Sequence, residues 1–413
     1  MNIPEVIKVK QKFNNDRIEK IEETVRQQIE SSGVKIKKGK SIAIAVGSRG
    51  IANIHRIVKA VVQYVKEAGA FPFIIPAMGS HGGATAEGQK AVLEGYGVTE
   101  EYAGAPIKSS MEVVELPQGN LKNKVYMDKY AYEADGTIII NRIKVHTDFH
   151  GTYESGLVKM CVIGLGKHKQ AVEIHRYGIY GLKELIPLTA KQVLKHGNII
   201  MGIGVVENAY DETAIIRAMK PSDIEIEEIK LIQHSREIMP SLPVKQIDLL
   251  IVDEMGKDVS GTGMDTNIIG RIRIAGCQEP EFPKITNIVV TDLTEASHGN
   301  ALGMGLADFI TKKLADKIDF KATYENTVTS TFIDRAKMPI VADTDRQAIE
   351  WALRTCGPID IDNAKIVRIK NTLKLDEIYV SAALLDEAKA KDNVEVEGDF
   401  RSLLDENGSL AEF

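Results

Sequence analysis

The feature that most limits what this chain can become is the way short, uninterrupted apolar runs alternate with stretches of helical period. "SIAIAVGS" (Ser41 to Ser48) is an apolar run ending in a turn. Ile54, Ile57, Val58, Val61, Val62 and Val65 then recur at the spacing of one helix face. "FPFIIP" (Phe71 to Pro76) predicts a second strand, and Thr85 is a candidate N-cap for the helix behind it. "GTIIINRIKVH" (Gly136 to His146) predicts another buried strand that runs into polar residues, followed by "NIIMGIGVV" (Asn198 to Val206) and a helical stretch from Pro221 to Ile238. The pattern resumes with "IDLLIVDEMG" (Ile247 to Gly256), "NIVVTDL", helices near 301–317 and 345–356, and strands at "AKIVRIK" and "DEIYVSA". Strands and helices alternating in this way predict an α/β fold, in which the loops that follow strands line the ligand crevice.

At 413 residues the chain exceeds what one core usually organises, so two α/β domains are expected, with a cofactor and substrate cleft between them. Two prolines in "PSLPVKQ" place the boundary, giving 1–243 as the catalytic and cofactor-binding domain and 244–390 as the second. The acidic tail, 391–413, keeps enough apolar residues to pack, and is expected to return to the first domain. A formal charge of −6 without a long basic block argues against nucleic acid or an anionic membrane as partner. The N-terminus lacks a signal-peptide core, no run is long enough to span a bilayer, and Cys161, Cys277 and Cys356 form no paired motif. These features predict a cytoplasmic protein with reduced, structural thiols.

Several motifs fail on inspection. Four Gly-x-Gly pairs begin at Gly164, Gly202, Gly261 and Gly303, but the third glycine of a dinucleotide fingerprint is replaced by Lys169, Glu207, Thr266 and Asp308. "GKS" at Gly39 to Ser41 precedes its strand and lacks the earlier glycine of a phosphate-binding loop. His146 and His150 have a spacing that could hold a metal on a helix, but the strand before them and the glycine after them predict a loop. Ser155 and Lys159 do not match the SxxK nucleophile arrangement.

What survives is a set of polar residues at strand ends: Arg49 in "GSRG", His81 in "GSHGG", His146 in "KVH", Lys159 in "SGLVK" and His175 in "VEIH". Each has a bland reading. His81 could bond its own glycine-rich loop, Arg49 could be half of a surface pair, and His175 could be a packed histidine. Lys159, between "GLV" and "MCVIG", would need a partner if buried.

Together these residues resemble the nickel-pincer lactate racemase superfamily. The resemblance rests on His81 in its loop, His146 after the next long strand, and above all "KMCVIGLGKHKQAVEIH", in which a histidine follows the lysine by sixteen residues. It covers at least Ser41 to His175. The resemblance implies a nickel-pincer nucleotide, a pyridinium-3-thioamide-5-thiocarboxylic acid mononucleotide carrying nickel, attached through Lys159. It implies His175 as the protein's nickel ligand, with His168 next in line, and Ser80, Gly82 and Gly83 in the loop that holds the nucleotide phosphate. His81 and His146 then stand as the two acid/base groups that racemisation requires, one on each face of the reacting carbon, with His150 as competitor for the second role. Arg49 would clamp the substrate carboxylate, and Asn267, Arg271 or Arg273 would meet the substrate from the second domain.

Three departures bear on the substrate: the loop from His146 to Lys159 is longer than in the lactate enzyme, "SGLVK" lacks a second glycine, and "GSRG" lacks a proline after its arginine. The expected activity is therefore racemisation or epimerisation of a small 2-hydroxy acid, served by enzymes that make the cofactor, with homo-oligomerisation left open. Two other readings stand beside it: a non-racemising hydride-transfer enzyme on the same scaffold, and a carboxylate- or metal-binding protein without turnover.

Overall fold

A computed structural model describes residues 1–48 and 50–413. The chain is mixed α/β and divides into two compact units, Asn14–Met239 and a second built from Met1–Phe13 together with Pro240–Phe413. The division at 239/240 lies a few residues before the expected boundary, at the first of the two prolines. The assignment of the first thirteen residues differs outright, because they belong with the C-terminal half.

The Asn14–Met239 unit holds strands β1 (Ser41–Val46), β2 (Phe71–Pro76), β3 (Val113–Leu116), β4 (Val125–Asp128), β5 (Gly136–Arg142), β6 (Ile199–Glu207) and β7 (Thr213–Met219). Its main sheet has the order β2-β1-β5-β6-β7, parallel except for β7, while β3 and β4 form a separate antiparallel ribbon. Central strands covered on both faces must be apolar at every position, and Ile42 to Val46 and Ile138 to Ile140 are buried without a break. The helix Ile54–Glu67 closes one face with the six residues that its periodicity picked out, all of them buried, and the helix Ile21–Ser32 adds Ile21, Val25 and Ile29 to the same core. Thr85 caps the helix Ala86–Gly95 as expected, its Oγ1 accepting the Gly88 N–H at 3.0 Å.

From β1 the chain first adds β2 on one side and then β5 on the other. The order reverses between β1 and β5, which makes their carboxyl ends a topological switch point, where open α/β sheets bind ligands.

The second unit has an eight-stranded sheet, ordered Ile340–Ala342, Phe309–Thr311, Lys284–Val290, Gln246–Val252, Ile366–Ile369, Glu377–Ser381, Val6–Gln11, Val394–Arg401. The first five strands are parallel and the last three antiparallel. The C-terminal tail supplies an edge strand that pairs with Val6–Gln11, inside the unit to which both belong. The helix expected near 301–317 is instead a 3-10 turn, the short strand Phe309–Thr311 and one helical turn, Lys312–Ala315. Gly303, at φ +106, and Gly305, whose Cα lies against the Asp334–Arg335 backbone, break it. All three cysteines are free thiols, and Cys161 is fully buried.

Candidate active site

Three loops leave the carboxyl ends of β1, β2 and β5, and each carries residues of the predicted set. Ser48 follows β1, and its Oγ lies 2.5 Å from His81 Nδ1. Arg49, the predicted carboxylate clamp, lies outside the described residues.

The loop after β2 turns sharply at Gly79 and Gly82, both at φ +63. The second of these approaches its helix so closely that a Cβ there would stand 2.5 Å from the Gly88 carbonyl carbon, so glycine is required on two counts. Buried Gln89 fixes the loop from beneath, donating from Nε2 to Gly79 O at 2.8 Å and His81 O at 3.3 Å. Ser80, Gly82 and Gly83 form a tight turn in which Ser80 O accepts the Ala84 N–H at 3.1 Å, and a Cβ at Gly83 would meet open space.

The loop after β5 is organised by a carboxylate that sequence reasoning passed over. Glu154 is buried, accepts the His146 N–H at 2.6 Å, and is anchored by Arg236 Nη2 at 2.8 Å. His150 Nδ1 lies 3.5 Å from the same carboxylate. His146 turns its ring the other way. Its Nδ1 accepts the Asp148 N–H at 2.9 Å, its Nε2 lies 2.6 Å from Lys159 Nζ, and its ring packs on buried Phe149 with centroids 4.6 Å apart. Of the two candidate histidines, His146 is the one brought to Lys159.

Lys159 closes a single helical turn, Leu157–Lys159, that passes directly into a π-helical turn, Met160–Gly164, and on into the helix Lys167–His175. Such wide turns persist where something holds them. Two buried charged groups do so here. Glu228 reaches under the first turn from the helix Ile224–Ile238, accepting the Val158 N–H at 2.9 Å, and burial pushes its carboxyl up to about 7 against the opposing pull of the Val158 and Leu157 N–H groups. Lys167, held at φ +56 and fully buried, sits 3.1 Å from Asp128 Oδ2, donates to Pro76 O at the end of β2, and reaches Gln89 Oε1 at 3.3 Å. Lys167 therefore ties the Lys159–His175 segment to the base of the His81 loop. The same contact is sealed by packing, since Gly79 lies against Ile163 and Gly164 against the Ala77 carbonyl.

His175 lies near enough to Lys159 and Asp148 to feel both charges. Burial, and then the Lys159 charge, lower its pKa, with Asp148 opposing, so the imidazole is neutral, as a metal ligand must be. His168 is exposed about two turns further back on the same helix. Among the described residues, no three His, Cys, Asp or Glu side chains gather as a metal-binding group.

The arginines expected to meet substrate are otherwise engaged. Arg271 donates to Asp308 at 2.6 Å and to the carbonyls of Leu306, Ile285 and Thr286. Arg273 donates to the other Asp308 oxygen at 2.7 Å and to the carbonyls of Gly305 and Ala307. A guanidinium has five N–H donors in a fixed fork, and these contacts commit both arginines to bracing loops inside their own unit rather than to a substrate carboxylate. Asn267 folds its amide back on Asp265 Oδ1 at 2.8 Å at a helix N-terminus.

Residues 45–224 match a family model described as a domain of unknown function (DUF362), a span that includes Ser48, His81, His146, Lys159 and His175. Among solved structures, the fold is similar to that of the lactate racemase apoprotein from Thermoanaerobacterium thermosaccharolyticum. The two are 14% identical, with 89% of this chain and 99% of that chain covered at a TM-score of 0.52. The likeness is one of fold. No curated protein matches the sequence. Among the described residues, no helix is long and apolar enough to cross a membrane.

Proposed function

We propose that this protein is a nickel-dependent racemase or epimerase of a small 2-hydroxy acid, with the nucleotide carrier of the nickel attached at Lys159. The observation that carries the reading is the meeting of Lys159, His146 and neutral His175 beside the sheet's switch point, on a fold shared with a lactate racemase apoprotein. The residues fit such a group in a specific way. One neutral histidine near a lysine cannot hold a metal tightly alone, but it completes the coordination of a metal whose other donors arrive with an organic carrier. When bound, that carrier would supply hydride acceptance at C2 of the substrate.

The chain's own residues supply the rest. His146 and His81 take and return the hydroxyl proton, each on its own loop and each ring held by a neighbour, Asp148 N–H and Ser48 respectively. Arg49, next to Ser48, holds the substrate carboxylate, a role that the reassignment of Arg271 and Arg273 leaves to it among the proposed arginines. The carrier is supplied by separate enzymes that make it.

Coexpression with those enzymes, followed by intact-protein mass and metal analysis, tests the reading. Added mass mapping to Lys159 with about one nickel per chain is the expected result. Lys159→Arg should lose both, and His175→Ala should keep the mass while losing nickel. A fully active Lys159→Arg variant would overturn the proposal, and a chain that never gains mass in the presence of the carrier would mark a binding protein without turnover.

A further inference from the structure

The helix Phe320–Ser330, in the second unit, is built inside out. A surface helix ordinarily turns its apolar stripe to the core. Here the buried face is carried by Thr323 and Thr327, whose hydroxyls are engaged within the unit. Thr323 Oγ1 accepts the Ala301 N–H at 3.0 Å, and Thr327 Oγ1 donates to Thr323 O at 2.7 Å. Phe320, Tyr324 and Val328, four residues apart and so aligned on one face, are the exposed ones. Val328 is 74% exposed, whereas Thr327 beside it is 5% exposed. The Phe320 and Tyr324 rings lean on each other with centroids 5.6 Å apart, which gives the stripe a preformed surface. The helix packs on the 3-10 turn Ile333–Ala336, where Ile333 is again exposed. From that turn the chain runs through exposed Met338 to exposed Ile340, on the outermost strand of the sheet.

We propose that this face is where two copies of the chain meet, across a two-fold axis near Tyr324 with their Phe320–Ser330 helices antiparallel. The inference concerns a surface of the second unit and does not depend on the reaction proposed above. Area is the first argument for a second copy. Side chains of this size and exposure leave about 100 Å² each, so the six present roughly 600 Å² per copy, the upper end of what a monomer leaves open. Two such faces would bury about 1,200 Å², the size at which stable, specific interfaces begin. Charge is the second. Lys321 and Glu325 are exposed one turn apart in the row beside the stripe. Antiparallel pairing about a two-fold axis brings each Lys321 alongside Glu325 of the partner subunit, and symmetry makes the pair twice. The sheet edge is the third. At the opposite edge of the same sheet, Val394–Arg401 sets exposed Glu395, Glu397 and Asp399 along its length, which is how a free edge is kept free. The edge strand Ile340–Ala342 carries no charge at all.

Sedimentation velocity of the full chain, from about 0.1 µM to about 100 µM, tests this, and the 45.4 kDa species should give way to one of twice that mass with a Kd in the micromolar range or below. Tyr324→Asp sets two carboxylates against each other at the axis and should weaken the dimer by at least about 100-fold. Lys321→Glu alone should weaken it by about 10-fold, and adding Glu325→Lys should bring it back to within a few-fold of the wild type. That recovery separates a defined antiparallel pairing from non-specific association of an apolar patch. All three side chains are exposed, so the far-ultraviolet circular dichroism of each variant should match the wild type. A chain that stays monomeric up to about 100 µM overturns the proposal and leaves the face to a different partner. So does a dimer that Tyr324→Asp leaves intact, which would place the contact elsewhere, or a charge-swapped double variant no tighter than Lys321→Glu.

Discussion

Replacing Glu228 with glutamine should alter how stability depends on pH more than it alters stability itself. The side chain is fully buried on the helix Ile224–Ile238, its Oε2 accepts the Val158 N–H, and its Oε1 has no hydrogen-bond partner. Burial raises its carboxyl to about 7 from a reference value of 4.5. A carboxyl whose folded value lies above its unfolded one binds more protons in the native state between the two. The stability it contributes is therefore complete below about pH 4.5 and is lost as pH rises through about 7. A shift of that size corresponds to about 3 kcal/mol between the two plateaus. Glutamine keeps an acceptor for Val158 but does not ionise. Urea unfolding of both proteins at pH 5, 6, 7 and 8 should show the wild type losing up to about 3 kcal/mol relative to Glu228→Gln across that range. A difference between the two that is flat with pH would show that Glu228 keeps its ordinary ionisation in the fold, and the argument from its burial would fail.

Lys167→Met leaves the Asp128 carboxylate buried without its partner and should cost about 3–5 kcal/mol of unfolding free energy. Adding Asp128→Asn should restore at least about 1 kcal/mol, and strict additivity in the double-mutant cycle would show that the pair is not coupled. Once a substrate is in hand, His81→Ala and His146→Ala should each lower kcat by roughly 10²–10⁴. His150→Ala, which removes only the ring near Glu154, should leave kcat within a few-fold of normal, and single-turnover kinetics with each enantiomer would expose a reversed ranking.

The sequence showed clearly those parts of the molecule that are governed by local pattern. β2 has the predicted bounds, the six apolar positions of Ile54–Glu67 are all buried, and Thr85 caps its helix, because strand burial, helical period and capping are written within a few residues of one another. The reading failed where distant chain decides. Val6–Gln11 alternates as a strand should, yet nothing nearby shows that its neighbours lie beyond residue 376. Arg271 and Arg273 looked available because Asp308, which takes both, is more than thirty residues away. In the site, the family resemblance singled out Lys159, His146 and His175. The groups that set their state, Glu154, Glu228, Lys167 and Asp148, are single charged residues with no motif, and only their burial or their contacts mark them out. Of these, Glu154 in "YESGLVK" had the nearest thing to a signal, an acid set among small residues just before an apolar helix.

The place of Val6–Gln11 has a consequence for how the protein is made. This strand is synthesised long before both of its partners, Glu377–Ser381 and Val394–Arg401. Asn14–Met239 is one continuous stretch, and it can complete its own sheet while the rest is still being synthesised. Throughout that time the leading strand has two open edges and alternating apolar residues, which is the kind of segment that pairs with the wrong neighbour. Its half-buried positions carry Lys8 and Lys10, and these form ion pairs with Glu377 and Glu397 only once those later strands arrive. Until then the two lysines keep the strand soluble, so replacing both with apolar residues should lower the yield of correctly folded protein during synthesis far more than it lowers the stability of molecules already folded.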